Sequence, residues 1–232
     1  MRVCVVGASR GIGSAVASHL AARGDEVYSV SRTKSSAGTW LAADVSTAAG
    51  CDMVCASLAN KPLDALLYMG GTWETNAFTE DFAFLDCSDE DIRRVIDVNL
   101  LAPIRLAKGL ASALQLARSP RVVFMGALSG LGNRATPEVS NTASKAGLIG
   151  AAQALALTYK SMGIGCTVIN PGNVATPEVL RELQEGVLTG GEAIPMKTLL
   201  SCIDFIITAG PTVDVERIDL SSKSATPHPA NA

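Results

Sequence analysis

The chain has 232 residues, of which 48% are hydrophobic and 18% charged, and its formal net charge is −3. This length suits one α/β domain, and no segment offers the ~20 consecutive apolar residues of a membrane span. The small negative charge provides no basic field, which excludes nucleic acid and anionic membranes as first partners. The six cysteines lack paired zinc spacing and no signal peptide is recognisable, so we expect a cytoplasmic protein without a metal site.

The chain opens with the pattern of a strand, a glycine turn and a helix. The apolar run at residues 3–6 predicts a buried parallel strand, and a helical pattern begins at Ile12. Gly7, Gly11 and Gly13 punctuate the turn, where glycine permits tight bends and a close approach to a ligand. Because the free amides at a helix N-terminus attract anions, this turn is predicted to cradle a phosphate.

The same turn also matches Gly-x-Ser-x-Gly, the nucleophile elbow of serine hydrolases, through Ser9. A serine nucleophile needs a histidine base within hydrogen-bond reach. The chain's two histidines are His19, about two turns along the same helix, and His228, in the polar tail. Neither is a convincing base for Ser9, so phosphate binding is the preferred interpretation.

Strand and helix patterns alternate along the rest of the chain, which predicts an α/β fold with a doubly wound parallel sheet. Further strands are predicted at residues 26–31, 40–45, 63–68, 122–125, 166–169 and 214–220. Helices are predicted at residues 12–23, 47–59, 88–116, 141–159, 177–185 and 196–207. We therefore expect a single domain at residues 1–220 and a disordered tail at residues 221–232.

Several motifs resemble, in order and spacing, those of the short-chain dehydrogenase/reductase family, over essentially the whole chain up to the tail. Residues 7–13, Gly-Ala-Ser-Arg-Gly-Ile-Gly, resemble the family's cofactor turn, and residues 170–176, Asn-Pro-Gly-Asn-Val-Ala-Thr, resemble its motif beside the nicotinamide. Asp44 resembles the residue that holds the adenine, and Asn99 resembles the family's helix asparagine. The resemblance implies a seven-stranded Rossmann-like sheet, a nicotinamide cofactor, and a homodimer or homotetramer assembled through the helices at 89–116 and 141–159.

The resemblance also implies which residues contact the cofactor. They are Gly7, Ser9, Arg10, Gly11, Ile12, Gly13, Arg32, Asp44, Val45, Gly70, Gly71, Lys145, Pro171, Gly172, Val174 and Thr176. An acidic residue about twenty positions beyond the turn would bind the 2′-hydroxyl of NAD. Here Arg32 stands near that place and Arg10 lies within the turn. Because guanidinium groups bind phosphates in a bidentate manner, NADP(H) is predicted over NAD(H).

The catalytic motif departs from the family pattern. The family's Tyr-x-x-x-Lys is Asn-Thr-Ala-Ser-Lys here, so Lys145 is present and Asn141 stands in place of the tyrosine. An amide releases no proton at accessible pH, so the usual acid/base group is missing. The family's serine falls at Ala127 or Leu128. The segment after the fourth strand, Tyr-Met-Gly-Gly, keeps the family's small residues but not its asparagines.

Tyr68, Ser129, Ser140 and Lys145 itself are candidate substitutes for the missing groups. For Tyr68 the preferred role is packing at a strand end, and for Ser140 it is capping the helix that begins near Asn141.

We therefore expect an NADP(H)-binding carbonyl/alcohol oxidoreductase with an atypical active site and a small carbonyl or enone substrate. In it Asn141 would orient the carbonyl, Lys145 would hold the ribose, and a water reached through Asn99 would supply the proton. Two alternatives remain open. One is a non-redox cyclase, isomerase or lyase that keeps the cofactor as a scaffold, and the other is a non-catalytic nucleotide-sensing protein.

Overall fold

The computed structural model describes residues 1–188 and 191–223, which form one sheet with helices on both faces. The strands are β1 (Arg2–Val6), β2 (Glu26–Ser31), β3 (Thr39–Ala42), β4 (Ala65–Tyr68), β5 (Arg121–Met125), β6 (Gly165–Pro171) and β7 (Arg217–Leu220). All neighbours pair in parallel, in the order β3-β2-β1-β4-β5-β6-β7. The predicted single-domain, Rossmann-like α/β fold with seven strands is confirmed.

The helices are α1 (Gly11–Ala22), α2 (Ala48–Leu58), α3 (Asp89–Ile96), α4 (Ala102–Gln115), α5 (Val139–Tyr159), α6 (Pro177–Gln184) and α7 (Met196–Thr208). One core layer packs α2, α4 and α5 against the sheet, and the other packs α1 and α7 against the opposite face. Side chains of β1 alternate between the layers, with Cys4 and Val6 in the first and Val3 and Val5 in the second. Burial on both faces explains why the central strands β1, β4 and β5 read as nearly continuous apolar runs.

The helix predicted at residues 88–116 is interrupted. It divides into α3 and α4 around a π-helical segment, Asp97–Leu101, which contains Asn99. Pro103 lies just beyond that segment, where it lacks the N–H that would bond the Asn99 carbonyl and its ring would crowd that oxygen. A wider turn relieves this conflict, and π-helical turns occur frequently at functional sites.

Several predicted boundaries also need correction. The third strand ends at Ala42 rather than residue 45, the fourth begins at Ala65 rather than 63, and the seventh begins at Arg217 rather than 214. The sixth strand is longer than predicted and runs through Pro171. Of the predicted tail, residues 221–223 are in neither a helix nor a strand, whereas residues 224–232, including His228, lie outside the described residues.

Candidate active site

The glycine turn after β1 brings backbone segments into close contact. A Cβ on Gly7 would lie 2.6 Å from Gly70 Cα, and a Cβ on Gly13 would lie 2.1 Å from Gly7 O. Gly7 and Gly11 also have φ values of +84° and +54°, in the region that favours glycine. Side chains at positions 7 and 13 would therefore push the turn apart, and their absence keeps its amides at the carboxyl end of β1.

The N-terminus of α1 lacks the side-chain cap that α2, α3 and α6 have. Thr47, Ser88 and Thr176 each accept a backbone N–H at the starts of those three helices. Arg10, the N-cap residue of α1, makes no such bond. The first amides of α1 are therefore left for an external acceptor, and together with the partial positive charge of a helix N-terminus they fit a phosphate.

Two exposed arginines flank this turn. Arg10 precedes α1, and Arg32 follows β2, where Val30 O accepts the Gly7 N–H at 2.9 Å. Neither guanidinium has a hydrogen bond or ion pair with any residue in 1–188 or 191–223. Both charges are thus available to a ligand at the carboxyl ends of β1 and β2. Ser9 and Ile12, also predicted to contact the cofactor, are half-buried in the same turn.

Asp44 and Val45 lie just beyond β3 at the same edge of the sheet. Asp44 Oδ1 accepts hydrogen bonds from the Ser46 N–H at 3.0 Å and from Ser46 Oγ at 2.7 Å. This bonding fixes the turn into α2 and holds the exposed Asp44 carboxylate beside the glycine-turn end of the sheet.

Asn99 joins the loop after β4 to α5. Its Oδ1 accepts the Thr72 N–H at 2.9 Å, and its Nδ2 donates to Thr72 O at 2.8 Å. The same Nδ2 lies 3.3 Å from Asn141 Oδ1 and 3.2 Å from Ser144 Oγ, both on α5. A carboxamide has only two N–H donors, so these contacts share them. The Asn99 side chain therefore fixes the relative positions of two segments at the site.

Asn141 and Lys145 are one helical turn apart on the same face of α5, and both are buried. Because Thr72 fixes the orientation of the Asn99 amide, Asn141 presents its oxygen to Asn99 Nδ2. The Asn141 Nδ2 makes no hydrogen bond within the described ranges. The position of the family's tyrosine thus holds an unused N–H donor rather than an ionisable group.

The Lys145 side chain reaches from α5 to the end of β5. Its Nζ donates to Met125 O at 2.9 Å, and a Cβ on Gly71 would lie only 3.6 Å from it. Burial lowers the pKa of the Lys145 ammonium group from 10.5 to about 8. The group therefore carries most of its charge at neutral pH but releases its proton far more readily than a surface lysine.

The proposed substitutes for the missing tyrosine and serine have different positions. Tyr68 is fully buried, its hydroxyl donates to Val98 O at 2.5 Å, and burial raises its pKa far above the ordinary value. It is a packing residue, as preferred from the sequence. Ala127 follows β5 and provides no hydroxyl, whereas Ser129 lies in the short 3₁₀ turn Leu128–Gly130 and is half-buried.

The prediction that Ser140 caps α5 is wrong. The helix begins at Val139, and Glu74 Oε1 from the loop after β4 accepts the Ser140 N–H at 2.6 Å and the Asn141 N–H at 3.1 Å. Sequence reasoning missed Glu74 because a cap supplied from 66 residues away leaves no local spacing pattern. The only available signal was an acidic residue closely following the fourth strand.

The motif at residues 170–176 spans the carboxyl ends of β6 and β7. The Gly172 N–H donates to Leu220 O at 2.9 Å, and a Cβ on Gly172 would lie 3.2 Å from Leu128 Cδ1. Val174 forms an isolated bridge with Ile194, and Thr176 caps α6. These contacts place the segment, whose first two residues Asn170 and Pro171 end β6, beside the loop that carries Ala127.

The serine-hydrolase alternative finds no support. His19 Nε2 is 2.8 Å from Asp204 Oδ2 on α7, and about 12 Å of helix separates His19 from the start of α1. Within residues 1–188 and 191–223 there is no cluster of three or more His, Cys, Asp or Glu side chains suited to a metal ion. In the same residues no helix has the length and apolar character of a membrane span.

A sequence model of the short chain dehydrogenase family matches residues 1–186. The chain is 31% identical over 199 residues to the 3-oxoacyl-[acyl-carrier-protein] reductase FabG of Escherichia coli, covering 80% of this chain and 78% of the reductase. It is 32% identical over 203 residues to the 3-oxoacyl-[acyl-carrier-protein] reductase MabA of Mycobacterium avium, covering 84% of this chain and 75% of that protein.

The fold is also similar to solved structures. A 4-hydroxyisoleucine dehydrogenase complexed with NADH superposes with a TM-score of 0.79 at 22% identity, covering 95% of this chain and 96% of that one. An aldohexose dehydrogenase of Thermoplasma acidophilum gives a TM-score of 0.79 at 19% identity, covering 98% and 97%. At these identities the likeness concerns the fold alone.

Proposed function

Because the chain belongs to the short chain dehydrogenase family, we propose that it is an NADP(H)-dependent oxidoreductase that interconverts a small carbonyl compound and an alcohol. The observation that carries the proposal is a continuous set of contacts along one edge of the sheet. Gly7 packs on Gly70, and the next residue, Gly71, packs beside Lys145 Nζ. We therefore propose that one ligand extends along this edge. Its phosphate would lie at the uncapped start of α1 and its reacting group near Lys145.

The residues present fit a nicotinamide dinucleotide. The amides at the start of α1 would bind its pyrophosphate, Asp44 and Val45 would contact the adenine, and Lys145 would hold the nicotinamide ribose. Pro171, Gly172, Val174 and Thr176 would line the nicotinamide. When bound, this group supplies or accepts the hydride. Supporting this assignment, the relatives FabG and MabA are named reductases, and 4-hydroxyisoleucine dehydrogenase is complexed with NADH.

The protein's own groups position the substrate oxygen. Asn141 Nδ2, unused by the described residues, donates to the carbonyl oxygen, while Asn99 holds the opposite side of that carboxamide. Lys145, with a pKa of about 8, is the ionisable group left in the motif and polarises the same oxygen. General acid catalysis typically contributes ~10²–10⁴-fold, so without the tyrosine we expect slow turnover or an unusually electrophilic substrate.

The preference for NADP(H) over NAD(H) rests on Arg10 and Arg32, which are exposed, unpaired within the described ranges, and adjacent to the glycine turn. A hydrogen bond to a charged group contributes ~1.5–3 kcal/mol, so Arg32→Ala should weaken NADPH binding roughly ten- to a hundredfold and leave NADH nearly unchanged. Arg118→Ala removes an exposed arginine that follows α4 and should change neither affinity. Equal affinity of the parent protein for both nucleotides would contradict the preference.

A homodimer or homotetramer through α3, α4 and α5 is part of the proposal. Lys145 is the one charged residue of α5 and is buried, so the helix presents an uncharged outer face. Leu157 on that helix is 78% exposed. Sedimentation of the parent and of Leu157→Arg checks this, since a charge at that face should dissociate the assembly.

Turnover itself is tested by incubating the protein with NADPH and a panel of aldehydes, ketones and enones. Loss of nicotinamide absorbance together with a reduced product supports the oxidoreductase. A new product without loss of absorbance indicates non-redox chemistry, and binding without either indicates a sensor. Asn141→Tyr, combined with Ala127→Ser, restores the family's groups and should raise reductase activity if the active site merely lacks its proton donor.

A further inference from the structure

The loop between β4 and α3 carries an unusual share of the chain's aromatic side chains. Residues 72–87, here called the aromatic loop, contain Trp73, Phe78, Phe82 and Phe84, whereas the whole chain has five Phe and two Trp. Trp73 is 48% exposed and Phe78 38%. Their rings are paired edge to face, with centroids 6.1 Å apart and an interplanar angle of 74°. The loop thus presents a defined aromatic surface to the exterior.

The backbone of this pair is held from both sides. Arg94 on α3 donates to Trp73 O at 2.9 Å, and the buried Glu138 accepts the Phe78 N–H at 3.0 Å. Phe78 has a φ of +67°, a conformation that is rare for a bulky residue. The surrounding contacts maintain this conformation although the side chain remains exposed, which is a common feature of ligand-contacting segments.

The pair is covalently next to the candidate active site. Thr72, before Trp73, makes two hydrogen bonds with Asn99, and Glu74, after it, accepts the Asn141 N–H. Trp73 therefore lies within one residue, about 3.8 Å along the chain, of two positions fixed against the catalytic motif. Glu80 and Asp81 are exposed on the same loop, so its charge opposes an anionic ligand.

We propose that the Trp73–Phe78 pair binds a neutral apolar ring of the substrate, so that the preferred substrates are ketones or aldehydes carrying an aryl or similar ring-sized group. The inference rests on the proposed function, since it places the carbonyl of that substrate at Asn141 and Lys145. Ring stacking on Trp73 or Phe78 would orient the substrate, while the carboxylates of the aromatic loop would discriminate against acids.

Three methyl ketones that differ only in their second substituent provide the test: acetophenone, hydroxyacetone and pyruvate. Trp40→Phe leaves Trp73 as the single tryptophan. With NADP⁺ bound, no reduction occurs, so Trp73 fluorescence reports ketone binding alone. We expect a saturable change with acetophenone, about tenfold weaker binding when Phe78→Ala is added, and no comparable change with hydroxyacetone or pyruvate. Phe205→Ala, an exposed phenylalanine on α7, is the matched control and should have no effect.

Steady-state kinetics with NADPH separate this inference from the proposed function. If acetophenone is reduced, Trp73→Ala should raise its KM about tenfold and leave the weak turnover of hydroxyacetone unchanged. Turnover that is equal for all three ketones and insensitive to Trp73→Ala overturns the ring site but leaves the oxidoreductase intact. Saturable acetophenone binding with no reduction of any ketone supports the ring site and contradicts the reductase. If Trp73→Ala or Phe78→Ala instead dissociates an oligomer, the pair is a subunit contact and the inference is wrong.

Discussion

The N-termini of α1 and α5 lie at the same edge of the sheet, yet their first amides have opposite fates. At α1 no side chain among the described residues accepts them. At α5 Glu74 Oε1 accepts the N–H groups of Ser140 and Asn141. Both ends carry the partial positive charge of a helix N-terminus. The protein therefore supplies its own anion at α5 and leaves α1 for an external one.

This difference divides the site into two halves of distinct chemistry. The half around α1, with Arg10 and Arg32 exposed, suits phosphates. In the half around α5 the carboxylate of Glu74 already occupies the helix end, so an anionic substrate group would be repelled there. Lys145 supplies the positive charge of this half, one turn further along the helix. The expected ligand is thus charged at one end and neutral at the other.

The largest effect is expected when a side chain is added to the tightly packed first turn of α1. Gly13→Ala places a Cβ 2.1 Å from the Gly7 carbonyl oxygen, and because the backbone fixes the positions of both atoms, no rotamer change relieves the overlap. We expect the loss of more than about 4 kcal/mol of folding free energy, or a shifted turn that no longer binds NADPH. Urea unfolding and nucleotide titration measure the two outcomes.

A second helical glycine is the control for that experiment. Gly150 on α5 has nothing within 4 Å of the position of a Cβ. Gly150→Ala should therefore stabilise the protein by roughly 0.5–1 kcal/mol through helix propensity alone. If Gly13→Ala behaved in the same way, the close packing of the turn would not be what excludes a side chain.

The second prediction concerns the N-terminus of α5, where Glu74 accepts two backbone N–H groups. Glu74→Ala removes the acceptor of two buried N–H groups at the start of α5 and should cost roughly 2–3 kcal/mol. Glu74→Gln keeps an acceptor oxygen and should cost less. Glu80→Ala, in the same loop but exposed, should be neutral within about 0.5 kcal/mol. A neutral Glu74→Ala in thermal unfolding would show that the carboxylate is not the cap.

Much of the half around α1 could be predicted from the sequence, because the residues that determine it are close together in the chain. Gly7, Gly11 and Gly13 lie within one turn, so their spacing alone indicates a tight strand-to-helix bend. The apolar runs likewise predict the strands, since burial on both faces removes alternation. The ends of the strands are predicted less accurately, because a strand extends only as far as its neighbour pairs with it. For example, β3 ends at Ala42, which pairs with Ser31, the last residue of β2.

The half around α5 depends on contacts between residues that are distant in the sequence. Glu74 meets α5 across 66 positions, and the Asn99 amide is bonded to Thr72 and α5 through a π-helical turn that a regular helical pattern conceals. No periodicity encodes either contact. The lysine was recognised from its motif, but its lowered pKa follows from burial that only the folded chain reveals.

The third prediction concerns Lys145, the positive charge in the half around α5. Burial lowers the pKa of Lys145 from 10.5 to about 8, so the folded protein binds fewer protons than the unfolded chain between these pH values. Stability from this group therefore rises with pH across that window, and below it the full penalty applies. Lys145→Met should stabilise the protein at pH 7 by roughly 3 kcal/mol while weakening NADPH binding.

The pH profile separates this effect from other titrations. Burial raises the pKa of the Cys4 and Cys166 thiols to about 12, which makes stability fall with rising pH, in the opposite sense. The difference between the parent and Lys145→Met removes the cysteine contribution and should shrink from pH 8 to pH 10.5. Lys160→Met, at an exposed lysine, should leave the profile unchanged. A constant difference would mean that Lys145 is not desolvated.

The smallest effect is expected for a pair of identical serine substitutions. Ser88 Oγ accepts the Asp91 N–H at 3.1 Å and caps α3. Ser140 occupies a similar place near the start of α5, but Glu74 accepts its N–H, and its hydroxyl makes no hydrogen bond within residues 1–188 and 191–223. Ser88→Ala should cost about 1 kcal/mol, whereas Ser140→Ala should change stability by less than about 0.5 kcal/mol.

Combining Ser140→Ala with Glu74→Ala makes the comparison decisive. If Glu74 is the cap, the double variant should lose no more stability than Glu74→Ala alone, because the serine contributes nothing to the helix end in either background. A larger loss in the double variant would mean that Ser140 takes over the cap when the carboxylate is removed, so that the closure of α5 would be shared between the two side chains.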